Sequence, residues 1–334
     1  MSKHGMEEEG MIWLWESTFG ARNIIGFAQM CPNLQILINV STAYVCGEKA
    51  GLIPETLYNL GKNGGGINGF DIDTEKKLVD NTLHDLTIKG ASSKQVRDTM
   101  KQLGLRRAKL YGWPNTYVFT KAMAEILIYE HKGNLPVVIV RPTMISSTYK
   151  EPFSGWVEGS GSLATVSIIN GKGYVNFTNG DSNTIFDSIP VDMVVNSIVM
   201  AMVANENKPC FKIYHVDSSL KNPLPLGKLL DINYQYFTKK PMMLKLMDIA
   251  SFHSFRVDQN KLGMRIKATY KIATSYNAFT LFTGIFDDKN TEKLRIAMRK
   301  NGMDEEHFNF DPKSIDWEDY LLNNHIPATV KYLF

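Results

Sequence analysis

From Thr18 to Met30 the apolar residues Phe19, Ile24, Phe27 and Ala28 fall at helical intervals, and Pro32-Asn33 breaks the pattern. That spacing predicts a helix. Leu34 to Val40 (LQILINV) is a short, nearly continuous apolar run, the pattern of a parallel strand buried on both faces, and it ends at the hydroxyls of Ser41 and Thr42. Residues 61–70 are glycine-rich and read as a loop. Beyond them Leu78, Val79, Leu83 and Leu86 repeat with helical spacing amid charge, as a surface insertion would. Asn115 is placed to cap a helix with Tyr117, Lys121, Ala124 and Ile128 on one side and Phe119, Met123, Ile126 and Leu127 on the others; Gly133 closes it. Val137 to Val140 is a second buried strand, ending in Arg141-Pro142. Strand alternating with helix predicts an α/β protein with a parallel sheet. From about residue 240 the texture changes to helix-length segments rich in Met and Lys. The chain is therefore expected to divide into residues 1–235 and a smaller, mostly helical domain over 240–334.

Composition narrows the classes. The 334 residues are 44% hydrophobic, enough for a substantial core. The net charge of +3 is spread along the chain without the basic run a nucleic-acid groove needs, which predicts no nucleic-acid partner. Cys31, Cys46 and Cys210 are odd in number and widely spaced, which argues against a disulfide framework and a structural zinc site. A reducing compartment follows. No apolar stretch has the length of a membrane span, and the acidic start Met1 to Gly10 does not resemble a signal or transit peptide. These features predict an intracellular protein, cytoplasmic or peripheral at the endoplasmic reticulum, with peripheral contact as the one mode of membrane association.

The chemistry lies in Ser41-Thr42 and in Tyr117 and Lys121. A hydroxyl at the end of a buried strand, followed by Tyr and Lys one helical turn apart, suits hydride transfer to a carbonyl: the oxygen gains negative charge and needs a proton donor and an orienting hydrogen bond. A phenol with a pKa of about 10 is a poor acid-base group at neutral pH, and an ammonium at i+4 is expected to lower it. Tyr58…Lys62 and Tyr236…Lys240 share the spacing, but one runs into the glycine loop and the other into Pro241. Neither follows a strand-end hydroxyl. One of Ser41 and Thr42 is expected to act as a strand-to-loop cap. The glycines at 61, 64, 65, 66 and 69 follow no buried strand and do not fit a dinucleotide fingerprint, nor do Gly159-Ser160-Gly161 and Gly171-Lys172-Gly173. His215, in a strand-like run from Phe211 to Val216, reads as a packed histidine, and no group has metal-ligand spacing, so no metal is predicted.

The segments NVSTAYVCGE (39–48), YGWPNTYVFTKAMAE (111–125), VVIVRPTMI (137–145), EPFSGWVEG (151–159) and SIPVDMVVN (188–196) together resemble the alcohol-forming fatty acyl-CoA reductases of plants. The tail resembles their C-terminal male-sterility domain, through Phe286-Asp287, Phe308-Asn309-Phe310-Asp311, Ile315 to Tyr320 and Lys331-Tyr332. The resemblance implies a Rossmann-type sheet of the extended short-chain dehydrogenase/reductase kind and NADPH-dependent reduction of a long-chain acyl-CoA to a primary alcohol through an aldehyde, in wax and lipid biosynthesis. It places the catalytic roles on Tyr117, Lys121 and Thr42, with Ser41 as second choice. It also sets Val40, Pro142, Thr143, Met144 and Ile145, with Tyr117 and Lys121, along the cofactor, and residues 152–160 toward the acyl chain. The family usually has Asn where this chain has Ser17. Nothing before Met11 resembles the family's glycine-rich loop, so the sheet is expected to lack its first strands and to leave LQILINV as an exposed edge. The alternative reading is a catalytically inactive remnant that binds acyl chains or a partner subunit.

Overall fold

The computed structural model describes residues 10–58, 71–159, 162–171, 181–206, 209–241 and 281–333. Its elements in chain order include α1 (Gly10–Gln29), β1 (Leu37–Val40), β2 (Gly51–Ile53), α2 (Ile72–Ile88), α3 (Ser93–Leu110), α4 (Thr116–His131), β3 (Val137–Pro142), β4 (Met144–Ser146), α5 (Ser162–Gly171) and β5 (Ser188–Pro190). There follow α6 (Val191–Asn205), β6 (Phe211–Val216), α7 (Leu226–Lys239), β7 (Gly284–Phe286), α8 (Lys289–Lys300) and, after a π-helical turn at Tyr320–His325, α9 (Ile326–Leu333). The glycine cluster at 61–69, Ser160-Gly161 and Lys172-Gly173 lie outside the described residues.

The chain gathers into two compact units that interleave along the sequence: 1–143 with 197–216 and 286–305, and 144–196 with 217–285 and 306–334. The first carries the predicted parallel sheet, in the order β1-β3-β6. β3 (VVIVRP) is buried at every position, as a β-branched run between two parallel neighbours should be; Leu37 pairs with Val137 and Val140 with both Val40 and Tyr214. β1 is shorter than the apolar run LQILINV, which was expected to be buried on both faces. It pairs only with β3 among the described residues, and Val40 at its end is 41% exposed, so it is the apolar edge the sequence foreshadows. Ile25 of α1, Ile128 of α4 and Val137 of β3 form a core against which Ala21, Leu37, Leu135 and Phe211 pack.

The predicted surface insertion is a helical pair, α2 and α3, and it is anchored rather than loose. Asp71 caps α2 through the Thr74 amide, and Ser92 with Gln95 makes a capping box on α3. Between them the buried Glu75 carboxylate takes both arms of Arg107 and the Tyr111 hydroxyl (2.8 Å), and Tyr111 stacks on Phe119 of α4 at 5.6 Å.

In the second unit β4 pairs in parallel with β5, Met144 opposite Ser188. The Asp192 carboxylate accepts the backbone N–H groups of Tyr149, Lys150 and Glu151 at 2.8, 2.7 and 3.1 Å. The Ser147 hydroxyl joins Tyr320 and Nδ1 of His325, each at 2.9 Å. Of the described residues after 280, Lys289–Lys300 (α8) is helical and belongs to the first unit, and the π-helical turn and α9 belong to the second. Among the described residues no helix is long and apolar enough to cross a membrane.

Candidate active site

The end of β1 is locked before the chain turns away. The Ser41 amide donates to the Val140 carbonyl at 2.8 Å, extending the β1–β3 ladder by one bond. Thr42 has extended backbone (φ −146°) and caps the 3-10 turn Ala43–Cys46: its Oγ1 accepts from the Tyr44 amide at 3.4 Å and donates to the Pro142 carbonyl at 3.5 Å. Thr42 thus does the capping expected of one member of the pair. The Oγ of Ser41 is buried and has no hydrogen-bond partner among the described residues. The turn is held from outside by Trp113, whose Nε1 donates to the Val45 carbonyl at 3.0 Å. At Gly47, φ is +72° and a Cβ would stand 3.0 Å from the Gly112 carbonyl, so glycine is required there.

Asn115 caps α4 as its position predicts, accepting from the Val118 amide at 3.0 Å. Tyr117, Lys121 and Glu125 then follow at successive four-residue steps along one face. Lys121 Nζ donates to the Val40 carbonyl at 3.2 Å, across 81 residues of sequence, joining α4 to the end of β1. Burial, opposed by the Glu125 charge, holds the Lys121 ammonium below the usual lysine range. The phenol departs from expectation: burial pushes the Tyr117 pKa up, the opposite direction to the lowering expected from Lys121.

Sequence reasoning passed over the ion pair beneath this face. Arg141, fully buried on β3, donates from Nε to Glu125 Oε1 at 3.0 Å and from Nη2 to Oε2 at 2.5 Å. Its Nη1 donates to the Thr56 carbonyl at 2.9 Å, and the guanidinium lies 5.0 Å from the Tyr58 ring centroid. His215 lies 3.4 Å from Nη1 and holds the Asp287 carbonyl with Nδ1 at 3.0 Å; burial and then the Arg141 charge push its pKa down to about 3, which keeps it neutral. The Cys46 thiol is pushed up to about 12 by burial, which makes it inert. The signal for this network was present in the sequence as Arg141 at a strand end and Glu125 one turn beyond Lys121.

A groove of about 300 Å³ opens beside β1, lined by Gly20, Ala21 and Ile24 of α1, Leu37, Ile38 and Asn39 of β1, and Thr120, Lys121, Ala124 and Ile128 of α4. Val40, Pro142 and Thr143 belong to the same unit, whereas Met144 and Ile145 open the second. Of the other two Tyr-Lys spacings, Tyr236…Lys240 lies on and just after α7, and Lys62 of the Tyr58 pair lies outside the described residues. Tyr58 is buried with its hydroxyl on the Pro54 carbonyl (2.9 Å), and Lys240 sits over the Tyr236 ring at 5.4 Å.

Two family models described as male sterility protein match the chain, an NAD-binding model over residues 15–198 and a second over 242–334. The alcohol-forming fatty acyl-CoA reductase of Simmondsia chinensis is 40% identical over 354 residues, which cover 95% of this chain and 72% of the relative. Fatty acyl-CoA reductase 1 of Arabidopsis thaliana is 40% identical over 98% of this chain and 74% of its own length. The rat fatty acyl-CoA reductase 1 is 27% identical over 95% of this chain and 62% of its own. With two male-sterility models and these relatives spanning nearly all of it, the chain belongs to the fatty acyl-CoA reductase family.

Proposed function

We propose that this protein is an oxidoreductase that reduces a long-chain fatty acyl-CoA to a primary alcohol with two NADPH, in wax or other lipid biosynthesis. The observation that carries the reading is the meeting of α4 with the end of β1. Lys121 is hydrogen-bonded to the Val40 carbonyl, Tyr117 lies one turn away on α4, and the buried Ser41 hydroxyl, without a partner among the described residues, precedes Thr42, which caps the 43–46 turn. The groove along β1 and the Lys121 ammonium fit the nicotinamide-ribose end of a dinucleotide: a cation that exchanges a neutral carbonyl for ribose hydroxyls, next to an orphaned hydroxyl. When bound, the cofactor supplies hydride.

The first hydride gives a tetrahedral oxyanion that collapses to the aldehyde as the C–S bond breaks and CoA leaves as its thiol. The second gives the alkoxide, and Tyr117 is the donor that hydrogen-bonds this oxygen and protonates it to the alcohol, a contribution of about 10²–10⁴ for a placed acid. Lys121 is assigned to the ribose hydroxyls and, once it leaves the Val40 carbonyl, to stabilising the phenolate that remains. A strand-end hydroxyl orients the oxygen; Thr42 holds that role by resemblance, while the open valence of Ser41 favours Ser41. Val40, Pro142, Thr143, Met144 and Ile145 are assigned to the nicotinamide side and residues 152–160 to the acyl chain. In this reading residues 1–235 supply the reductase domain and 240–334 the male-sterility domain.

The test is purified protein with NADPH or NADH and acyl-CoAs of graded length, with alcohol as the readout. Alcohol formation that is lost in Tyr117→Phe and in one of Ser41→Ala and Thr42→Ala supports the assignment. Full activity in Tyr117→Phe refutes it.

A further inference from the structure

We propose that the outer face of α3 is a docking surface for an anionic lipid bilayer. The helix Ser93–Leu110 carries six basic residues and one acidic residue, Asp98. One of the six, Arg107, is committed to Glu75. Even with Arg107 set aside, Lys94, Arg97, Lys101, Arg106 and Lys109 give the helix a greater positive excess than the +3 of the whole chain, so the rest of the protein is on balance not basic. The charge is concentrated here. The opposite face of α3 is accounted for, since Met100, Leu103, Gly104 and Ala108 are buried.

Two leucines decide what kind of partner the face suits. Lys94, Lys101, Leu105 and Lys109 follow one another at seven-, four- and four-residue steps along the solvent side, and Leu105 is 38% exposed within that stripe. Leu110, 43% exposed, lies at the end of the same helix beside Lys109. A phosphate backbone or an acidic protein face would be served by the cations alone. Apolar side chains ringed by lysine and arginine suit a surface that is charged at the headgroups and apolar just beneath, where long basic side chains keep their charge at the headgroups while their stems lie along the hydrocarbon. With two leucines available the association would be reversible and dominated by electrostatics, hence sensitive to salt.

The test is co-sedimentation of the full chain with vesicles of phosphatidylcholine alone and of phosphatidylcholine with phosphatidylserine, at low and high salt. Wild-type protein is expected on the serine-containing vesicles at low salt only. At about fivefold per cation near the surface, Lys101→Gln, Arg106→Gln and Lys109→Gln together should weaken binding about a hundredfold. Arg106 and Lys109 are exposed and Lys101 is half-buried, and circular dichroism checks that the variant is folded. Leu105→Ser with Leu110→Ser should weaken binding without changing its salt dependence. Equal sedimentation of wild type and the triple variant, or equal binding to neutral vesicles, overturns the proposal. So does binding to a soluble polyanion such as heparin with none to vesicles.

Discussion

Glu125→Gln tests how α4, the helix of the proposed site, is held. Arg141 and Glu125 are 0% and 1% exposed, and the carboxylate satisfies two of the guanidinium's donors in a bidentate pair. Glutamine keeps the shape and removes the charge, leaving a buried cation whose partners among the described residues are one neutral amide oxygen, the Thr56 carbonyl, the Tyr58 ring and a neutral histidine. Stranding one member of a buried pair costs about 3–5 kcal/mol, and the partners that remain put this site near the lower figure, about 3 kcal/mol. The assay is urea denaturation of wild type, Glu125→Gln, Arg141→Met and the Glu125→Leu/Arg141→Met double variant. The double variant should lose less than the sum of the single changes at its two positions, because two apolar groups leave no buried charge behind. A kinetic signature accompanies it. Glu125 supports the protonated form of Lys121, so its removal should move the high-pH fall in turnover to lower pH. A loss below about 1 kcal/mol in Glu125→Gln, with an unchanged alkaline limb, refutes the idea that this pair anchors the site.

Other changes probe separate parts of the framework. Gly155 has φ +82°, and a Cβ there would meet the Asn324 carbonyl at 2.7 Å and Ala328 Cβ at 2.9 Å; Gly155→Ala should cost about 3 kcal/mol, read as a lowered denaturation midpoint. Trp113→Phe removes the donor to the Val45 carbonyl and should cost about 1–2 kcal/mol, with a fall in turnover greater than any rise in KM if the 43–46 turn positions the strand-end hydroxyls. Burial lowers the pKa of His215 to about 3 and of His325 to about 4 from 6.5, so both stay neutral in the fold while the unfolded chain takes up protons. Their contribution is therefore complete above pH 6.5 and is lost as pH falls toward 4. Each should account for about 2 kcal/mol by pH 5, measured as unfolding free energy against pH, and a flat profile between pH 7 and 5 contradicts this.

What could be read from the sequence was whatever depended on local periodicity. The Asn115 cap and the shared face of Tyr117 and Lys121 need only the helical repeat, and the parallel setting of Val137 to Val140 needs only its unbroken apolar run. What could not be read depended on pairing between distant segments. The partner of Lys121 is a backbone carbonyl, which every residue has, so no residue pattern marks Val40 as its acceptor. The division of labour between Ser41 and Thr42 turns on which hydroxyl faces the Tyr44 amide, a matter of dihedral angle rather than residue type. Glu125 marks the boundary between the two kinds of information. It continues the step of four from Tyr117 and Lys121, but only the placement of α4 against β3 shows that it meets Arg141 and is buried. The stripe is thus graded along its length, from a fully buried ion pair through a partly buried ammonium to the phenol. A rigid anchor two turns from Tyr117, the proposed proton donor, fixes the helix face. The proposed Tyr117–Lys121 site therefore extends by one more step of four residues, with Glu125 as its positioning residue.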